Sequence, residues 1–415
     1  MFIKKQVCYC LIQANPFEPY TNISNKELFI ISLELLQKLT KIIYYFLINL
    51  VFHVFCDMIN SLKKKGGDEM KAKIFQYIDP SENTRLSELS SKELRHLLHL
   101  LKNYHLELRS KLNLPQKVTF GVEIEFGCLY RTNIYPQLKK ELEECSRNWK
   151  LEEEMSNDGL EVISDILIDK DQNWKILKDV CELISKYGVE SSLSGGHVHI
   201  GAHLFQNYDD CYSFVKLLTA YENLLYRFGY GEYLNATSRL WYAKPMRDRW
   251  ESVLETNKEE EIPGFAKLVA PKKAQSVNLK AFANNYKTYQ KDNTIEFRFP
   301  NGTLNPIIWQ NNINVFTKMM LYVQSGSVNQ NLLDARISNN HKIKPTFLRF
   351  GEKKKTTPIT LENIQEYEKI DLEQALEFSD LIFNNNLDKI NFLRQYYKNG
   401  KISKKRFEKV KNLTK

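Results

Sequence analysis

Three short segments of the 415-residue chain place ionisable residues two apart: "GVEIEF" carries Glu123 and Glu125, "GGHVHIG" carries His197 and His199, and "TIEFRFP" carries Glu296 and Arg298. In an extended strand alternate side chains share a face. The two glutamates of the first segment then stand opposite Val122, Ile124 and Phe126, the histidines opposite Val198 and Ile200, and the Glu–Arg pair opposite Ile295, Phe297 and Phe299. A fourth segment, "GLEVIS", projects Glu161 opposite Leu160 and Val162. Singly, each pair has a plain structural explanation: a solvent-facing strand, half-exposed strand histidines, a cross-strand ion pair. If the strands are neighbours, their ionisable faces converge. Converging carboxylates repel, and divalent cations resolve that repulsion. A carboxylate-rich set with imidazole and no thiolate suits Mg²⁺ or Mn²⁺ better than structural zinc. The His-Glu-x-x-His pattern of zinc proteases is absent.

Basic groups beside such cations point to phosphate chemistry. Arg298 shares a strand face with Glu296, and "RLWYAKP" adds Arg239 and Lys244. Gly195 and Gly196 let the backbone approach an anion closely. No Walker loop and no kinase signature is present, so a nucleotide site of those classes is excluded.

The elements that must hold these residues are strands interleaved with long helices. "SSKELRHLLHLLKNYHLELRSKL", residues 90–112, reads as an amphipathic helix opened by a Ser90/Glu93 capping box and stopped by Asn113 and Pro115. "NWKILKDVCELISKYG" reads as a helix with Gly188 as its C-cap. "YDDCYSFVKLLTAYENLLYRFG" and "NPIIWQNNINVFTKMMLYVQSG" read as two more, and the pattern is helical from about residue 330. The expected fold is α+β: a curved, mostly antiparallel sheet covered by helices on one face.

Composition fits a globular protein, with 43% hydrophobic and 26% charged residues. The net charge is +9, and part of it sits in the tail "KISKKRFEKVKNLTK". A tail of that kind is a solvated helix end more often than a nucleic-acid contact, and no basic–aromatic interleaving suited to RNA occurs, so no nucleic-acid partner is expected. Seven cysteines without Cys-x-x-Cys spacing favour reduced thiols and a cytoplasmic location.

Residues 1–69 stand apart. Their hydrophobic run, "KIIYYFLINLVFHVFCDMI", contains Asn49 and His53, is short for a membrane span, and fits a signal peptide poorly. "KGGDEM", ending at Met70, can be encoded as AAA GGA GGT GAT GAA ATG, an uninterrupted bacterial ribosome-binding sequence just before a start codon. The expectation is that the protein begins at Met70, in which case the charge is +7 and no membrane partner is expected; the alternative is a membrane-anchor segment. The remaining chain then divides into a helical lead-in (70–117), a catalytic domain (118–330) and a helical C-terminal region (331–415).

The order "GVEIEF", "GLEVIS", "GGHVHIG", "YAKP", "TIEFRFPNGTLNP" resembles the amidoligase family of the glutamine-synthetase-like carboxylate–amine ligases, over about residues 118–325. The resemblance implies a β-sheet funnel that holds ATP and Mg²⁺ (or Mn²⁺). It implies that Glu123, His197 and Glu296 hold one cation, that Glu125 and Glu161 hold another, and that His199 faces the ATP phosphates. Arg298 would stabilise the phosphoryl and acyl-phosphate oxygens, with Arg239 and Lys244 as further anion partners. The substrates implied are a small-molecule or peptide carboxylate and an amine. The chain departs from the pattern before the second strand, where "EMS" (Glu154 to Ser156) replaces an Asp-Gly-Ser-like stretch, and at Asp165, which replaces a Pro. Both departures lie on the substrate side. Two other readings stay open: phosphoryl transfer to a guanidine on the same fold, and a non-catalytic nucleotide- or metal-binding module.

The start site is directly testable. N-terminal peptide analysis of the protein from its natural host should begin at Met70, and peptides from residues 1–62 in that sample would overturn the expectation.

Overall fold

The alternation of apolar and ionisable residues becomes a six-stranded sheet in the computed structural model, which describes residues 73–342 and 361–397 except 129–130, 155–158, 191–193, 232–242, 247–261, 271–273, 281 and 283–292. The strands are β1 (Phe120–Gly127), β2 (Lys150–Glu154), β3 (Gly159–Ile163), β4 (Gly196–Gly201), β5 (Val277–Asn278) and β6 (Thr294–Phe297). Their order is β2-β3-β1-β4-β6-β5, and every pairing is antiparallel. The expected α+β class and the curved antiparallel sheet are what the chain forms. Register aligns the ionisable residues: Glu125 stands opposite Glu161, Glu123 opposite His197, and His199 opposite Glu296.

The other face is apolar. Val122, Ile124, Phe126, Leu160, Val162, Val198, Ile200, Ile295 and Phe297 are all buried. The covering helices include α3 (Asp171–Ile184), α4 (Tyr208–Gly229) and α6 (Pro306–Gln324). Phe316 of α6 stacks on Phe297 of β6 at 4.2 Å between ring centroids, and Trp174 of α3 stacks on Phe120 of β1 at 5.0 Å. Local chemistry starts the helices. Asn207 caps α4 by accepting from the Asp210 N–H at 2.9 Å, and Asn305 caps α6 just before Pro306.

Some elements differ from expectation. Helix α1 (Ser91–Asn103) has its capping box but ends nine residues early. Tyr104 is buried and donates to Asn391 at 2.9 Å, while Arg109 and Gln310 exchange backbone–side chain bonds at 2.8 and 2.7 Å. Those tertiary bonds hold residues 104–112 out of the helix. Gly188 is not a left-handed cap: a Cβ there would lie 2.3 Å from the Phe126 ring. Helices α2 (Arg131–Cys145) and α5 (Ile262–Val269) and strands β2 and β5 were not expected.

The lead-in and the C-terminal helices α8 (Leu361–Ile382) and α9 (Asn386–Tyr397), which follow α7 (Gln330–Lys342), are tied to each other. Asp380 accepts from the Leu86 and Ser87 N–H groups at 3.0 and 2.8 Å and pairs with buried Lys389 at 2.7 Å. Asp388 pairs with Arg109 at 2.6 Å. Among the described residues Cys128, Cys145, Cys181 and Cys211 form no disulfide, and no helix is long and apolar enough to cross a membrane. The expectations for residues 1–69 and for the basic tail lie outside the described residues.

One glycine links the two faces. A Cβ on Gly196 would lie 2.3 Å from the Asn301 carbonyl oxygen and 2.9 Å from the Trp309 ring. Gly196→Ala should therefore destabilise by about 1–3 kcal/mol through overpacking, read as a fall in the midpoint of denaturant unfolding. An unchanged midpoint would show that the 300–302 backbone yields freely.

Candidate active site

The polar face of the sheet gathers its ionisable groups around Glu123. One carboxylate oxygen, Oε2, is 2.6 Å from His197 Nδ1; the other, Oε1, is 2.9 Å from His199 Nε2. His197 Nδ1 lies 3.7 Å from Glu296 Oε1 and 4.0 Å from Glu161 Oε1. Its Nε2 is buried without a hydrogen bond, 3.4 Å from Glu125 Oε1. The Gly195 N–H donates to the second Glu125 oxygen. Arg298 donates to Glu296, whose other oxygen accepts from Asn278 Nδ2 at 2.6 Å.

Such crowding moves proton affinities. Burial pushes the Glu123 carboxyl up, but the hydrogen bonds and charges of His197 and His199 outweigh it and hold the group far below the usual carboxylate range. Burial likewise favours a protonated Glu296, and the surrounding His197, Arg298 and His199 reverse that direction. His199 is pushed down by burial and more strongly up by Glu123 and Glu296, so it ends above its ordinary value.

Among the described residues two groups have ligand atoms all within 4.8 Å of one another: Glu123, His199 and Glu296, and Glu123, Glu161 and His197. That span is close to the separation of ligands around one small divalent cation, where metal–oxygen distances are about 2.1 Å. A buried imidazole nitrogen with no hydrogen bond, 3.4 Å from a carboxylate oxygen of Glu125, fits a metal ligand. The residues present therefore fit Mg²⁺ or Mn²⁺. The grouping differs from the one the family resemblance implies. His199 stands inside the carboxylate set, with both ring nitrogens engaged by Glu123 and by Thr294 at 3.0 Å.

The remaining expected residues divide. Arg298 is buried and pairs with Glu296, as a side chain turned to the polar face requires. Lys244 is exposed, and its backbone pairs with the sheet margin at Gln275. Gly196 packs its backbone against Asn301 and Trp309. Arg239 lies outside the described residues. Sequence reasoning missed Asn278 and Thr294. The alternation of "SVNL" and the position of Thr294 two residues before Glu296 are the signals that place both on the polar face.

One face of the sheet is covered by helices, and the other is lined by carboxylates, two imidazoles and a buried guanidinium whose spacing fits a divalent cation. Residues 116–320 match the family model described as "Putative amidoligase enzyme". A solved structure, a bifunctional glutathione synthetase from Pasteurella multocida, is similar at 13% identity with a TM-score of 0.32. The match covers 71% of this chain and 52% of that one, so the chain spans about half of that protein's length. No protein of curated function matches the sequence.

The opposing shifts fix a pH window. Glu123, held low, contributes stability that is present above about pH 4.3 and lost as pH falls through its lowered value. His199, held high, contributes stability that is complete below about pH 6.5 and lost as pH rises through its raised value. With chelator present, thermal stability should be greatest between those limits and fall on both sides. Glu123→Gln should flatten both limbs, and Mn²⁺ should restore stability on the alkaline side by replacing the proton. A profile unchanged by Glu123→Gln would overturn this account.

Proposed function

We propose that the polar face is the active site of an ATP-dependent carboxylate–amine ligase. The observation that carries the reading is a guanidinium, Arg298, buried against Glu296 amid the carboxylate–histidine set. A permanent cation that lies beside metal-type ligands matches the needs of phosphoryl transfer between two anions. Glu123, Glu161, Glu296, His197 and His199 would hold the cations, with Glu125 fixed nearby by the Gly195 N–H. Divalent cations, when bound, would screen the triphosphate and polarise the transferring phosphoryl group.

In the reaction, a carboxylate oxygen attacks the γ-phosphorus of ATP and ADP leaves, which gives an acyl phosphate. An amine then attacks the acyl carbon, phosphate departs, and loss of a proton leaves the amide. Arg298 would stabilise the charge on the phosphoryl oxygens, which is greatest while the group is in transit. Asn278 would hold Glu296 so that one oxygen faces Arg298. The proposed substrates are a small-molecule or peptide carboxylate and an amine.

A screen of amino-acid pairs and peptides with ATP and Mg²⁺ tests the reading by phosphate release and product mass. The expected result is ADP, phosphate and a new amide in equal amounts. A stable phosphorylated product would replace the reading with guanidine phosphotransfer, and the absence of any nucleotide turnover or binding would leave only a non-catalytic module.

Arg298 gives a sharper test. Arg298→Ala should lower turnover on the order of a hundredfold to a thousandfold, about 3–4 kcal/mol in the barrier. It also strands buried Glu296, so the fold should lose about 3–5 kcal/mol. Arg298→Lys separates the two effects. It keeps the charge and most of the stability but lacks the planar fork, so turnover should stay well below wild type while the melting temperature recovers. Wild-type turnover in a folded Arg298→Lys protein would refute the role of the fork.

A further inference from the structure

Helix α4 buries another acid, outside the carboxylate–histidine set. Glu222 is 1% exposed, and its Oε1 accepts from the Met246 N–H and from the Ser276 hydroxyl, both at 2.7 Å. A buried carboxylate is tolerated only with such charge-assisted partners. One helical turn further on, the Tyr226 hydroxyl donates to the Ala243 carbonyl. Between these two anchors, the Lys244 N–H donates to the Ala274 carbonyl and the Lys244 carbonyl accepts from the Ser276 N–H, both at 2.7 Å. Pro245 has no N–H and keeps Lys244 extended. The stretch Ala243–Met246 is thus pinned at both ends by α4 and in the middle by the sheet margin.

The same network reaches Arg298. The Ser276 carbonyl that follows the hydroxyl contact accepts from the Arg298 N–H at 2.8 Å. Going outward across the sheet, the backbones run Arg298, Ser276, Lys244. At strand spacing, the first and last stand roughly 10 Å apart. Arg298 is the buried cation of the site, and Lys244 carries the exposed one at its margin. Both are held by backbone bonds that meet at Ser276, and Ser276 is held by Glu222.

We propose that Glu222 is a positioning residue: through Ser276 and Met246 it fixes Arg298 and Lys244 at the spacing that grips the triphosphate of a nucleotide. This rests on the ligase reading. A buried carboxylate on α4 thereby sets the affinity of the polar face for an anion.

The experiment compares wild type, Glu222→Gln, Tyr226→Phe and Ser276→Ala, with ATP as the probe. Tyr226→Phe and Ser276→Ala each remove one hydroxyl, so they keep the question answerable if the Glu222 variant fails to fold. In each variant that folds, KM for ATP should rise about tenfold, since an anion contact is worth about one such factor, and in Glu222→Gln and Ser276→Ala kcat should fall as well, because the anchor of Arg298 is loosened with it. In the nucleotide-free protein, hydrogen exchange at the Met246 and Lys244 amides should accelerate in the same variants. A purely structural role would lower the melting temperature and leave KM for ATP at the wild-type value, and that outcome overturns the proposal alone. Wild-type protein that neither binds nor turns over ATP overturns the ligase reading and the nucleotide claim together, while the exchange rates still show whether Glu222 pins the segment.

Discussion

Everything on the polar face answers to one constraint: Glu123 is a carboxylate held between two histidines of a neighbouring strand, at 2.6 and 2.9 Å. Glu125, Glu161 and Glu296 crowd the same face. A cluster of that kind cannot be left uncompensated in a partly buried place, because each unscreened carboxylate would instead take up a proton. The compensation is local and comes from residues two positions apart on single strands. His197 and His199 alternate toward Glu123, and Arg298 turns back onto Glu296 two residues before it. The strand period of two brings the countercharge to the charge.

That arrangement demands a rigid scaffold on the other side. The imidazoles and carboxylates hold distances of a few ångström only if β1, β4 and β6 cannot slide, and a slip of one residue would turn every ionisable group into the core. The apolar face prevents it. Phe297 against Phe316 and Phe120 against Trp174 lock the strands to α6 and α3 through large buried rings. The ties between Asp380, Lys389, Asp388, Arg109 and the lead-in then close the helical layer over residues far apart in sequence.

What the sequence made legible follows from period. Alternation in "GVEIEF", "GLEVIS", "GGHVHIG" and "TIEFRFP" is local information, and it sufficed to put Glu123, Glu125, Glu161, His197, His199, Glu296 and Arg298 on one face. The helix over Tyr208–Gly229 was legible to its ends, because an apolar stripe and an Asn cap coincide there. What stayed hidden depends on partners distant in the chain. Strand β2, "KLEEE", has one apolar residue and is a strand only because β3 pairs with it. Residues 104–112 have helical periodicity and are drawn out by Asn391 and Gln310. The burial of Arg298 was equally invisible, since no local pattern distinguishes a solvated ion pair from one enclosed by its neighbours.

The double glycine before His197 shows how both faces act on the same backbone. The Gly195 N–H is spent on Glu125, on the acidic side, and the Gly195 carbonyl accepts from the Glu125 N–H at 3.2 Å. One residue later, the Gly196 N–H donates to the Pro300 carbonyl at 3.0 Å, and the missing Cβ admits Asn301 and the Trp309 ring on the covered side. A side chain at Gly196 would push the 300–302 loop away, and the start of β4 would move with respect to β1. His197 follows directly on that backbone, so its distances to Glu123 and Glu125 would change at once. The glycines are therefore best understood through packing: they let the strand enter the sheet closely enough for the next residue to reach its carboxylates. An anion-cradling role for the pair would have to operate within that packing, with the Gly195 N–H already committed to a carboxylate.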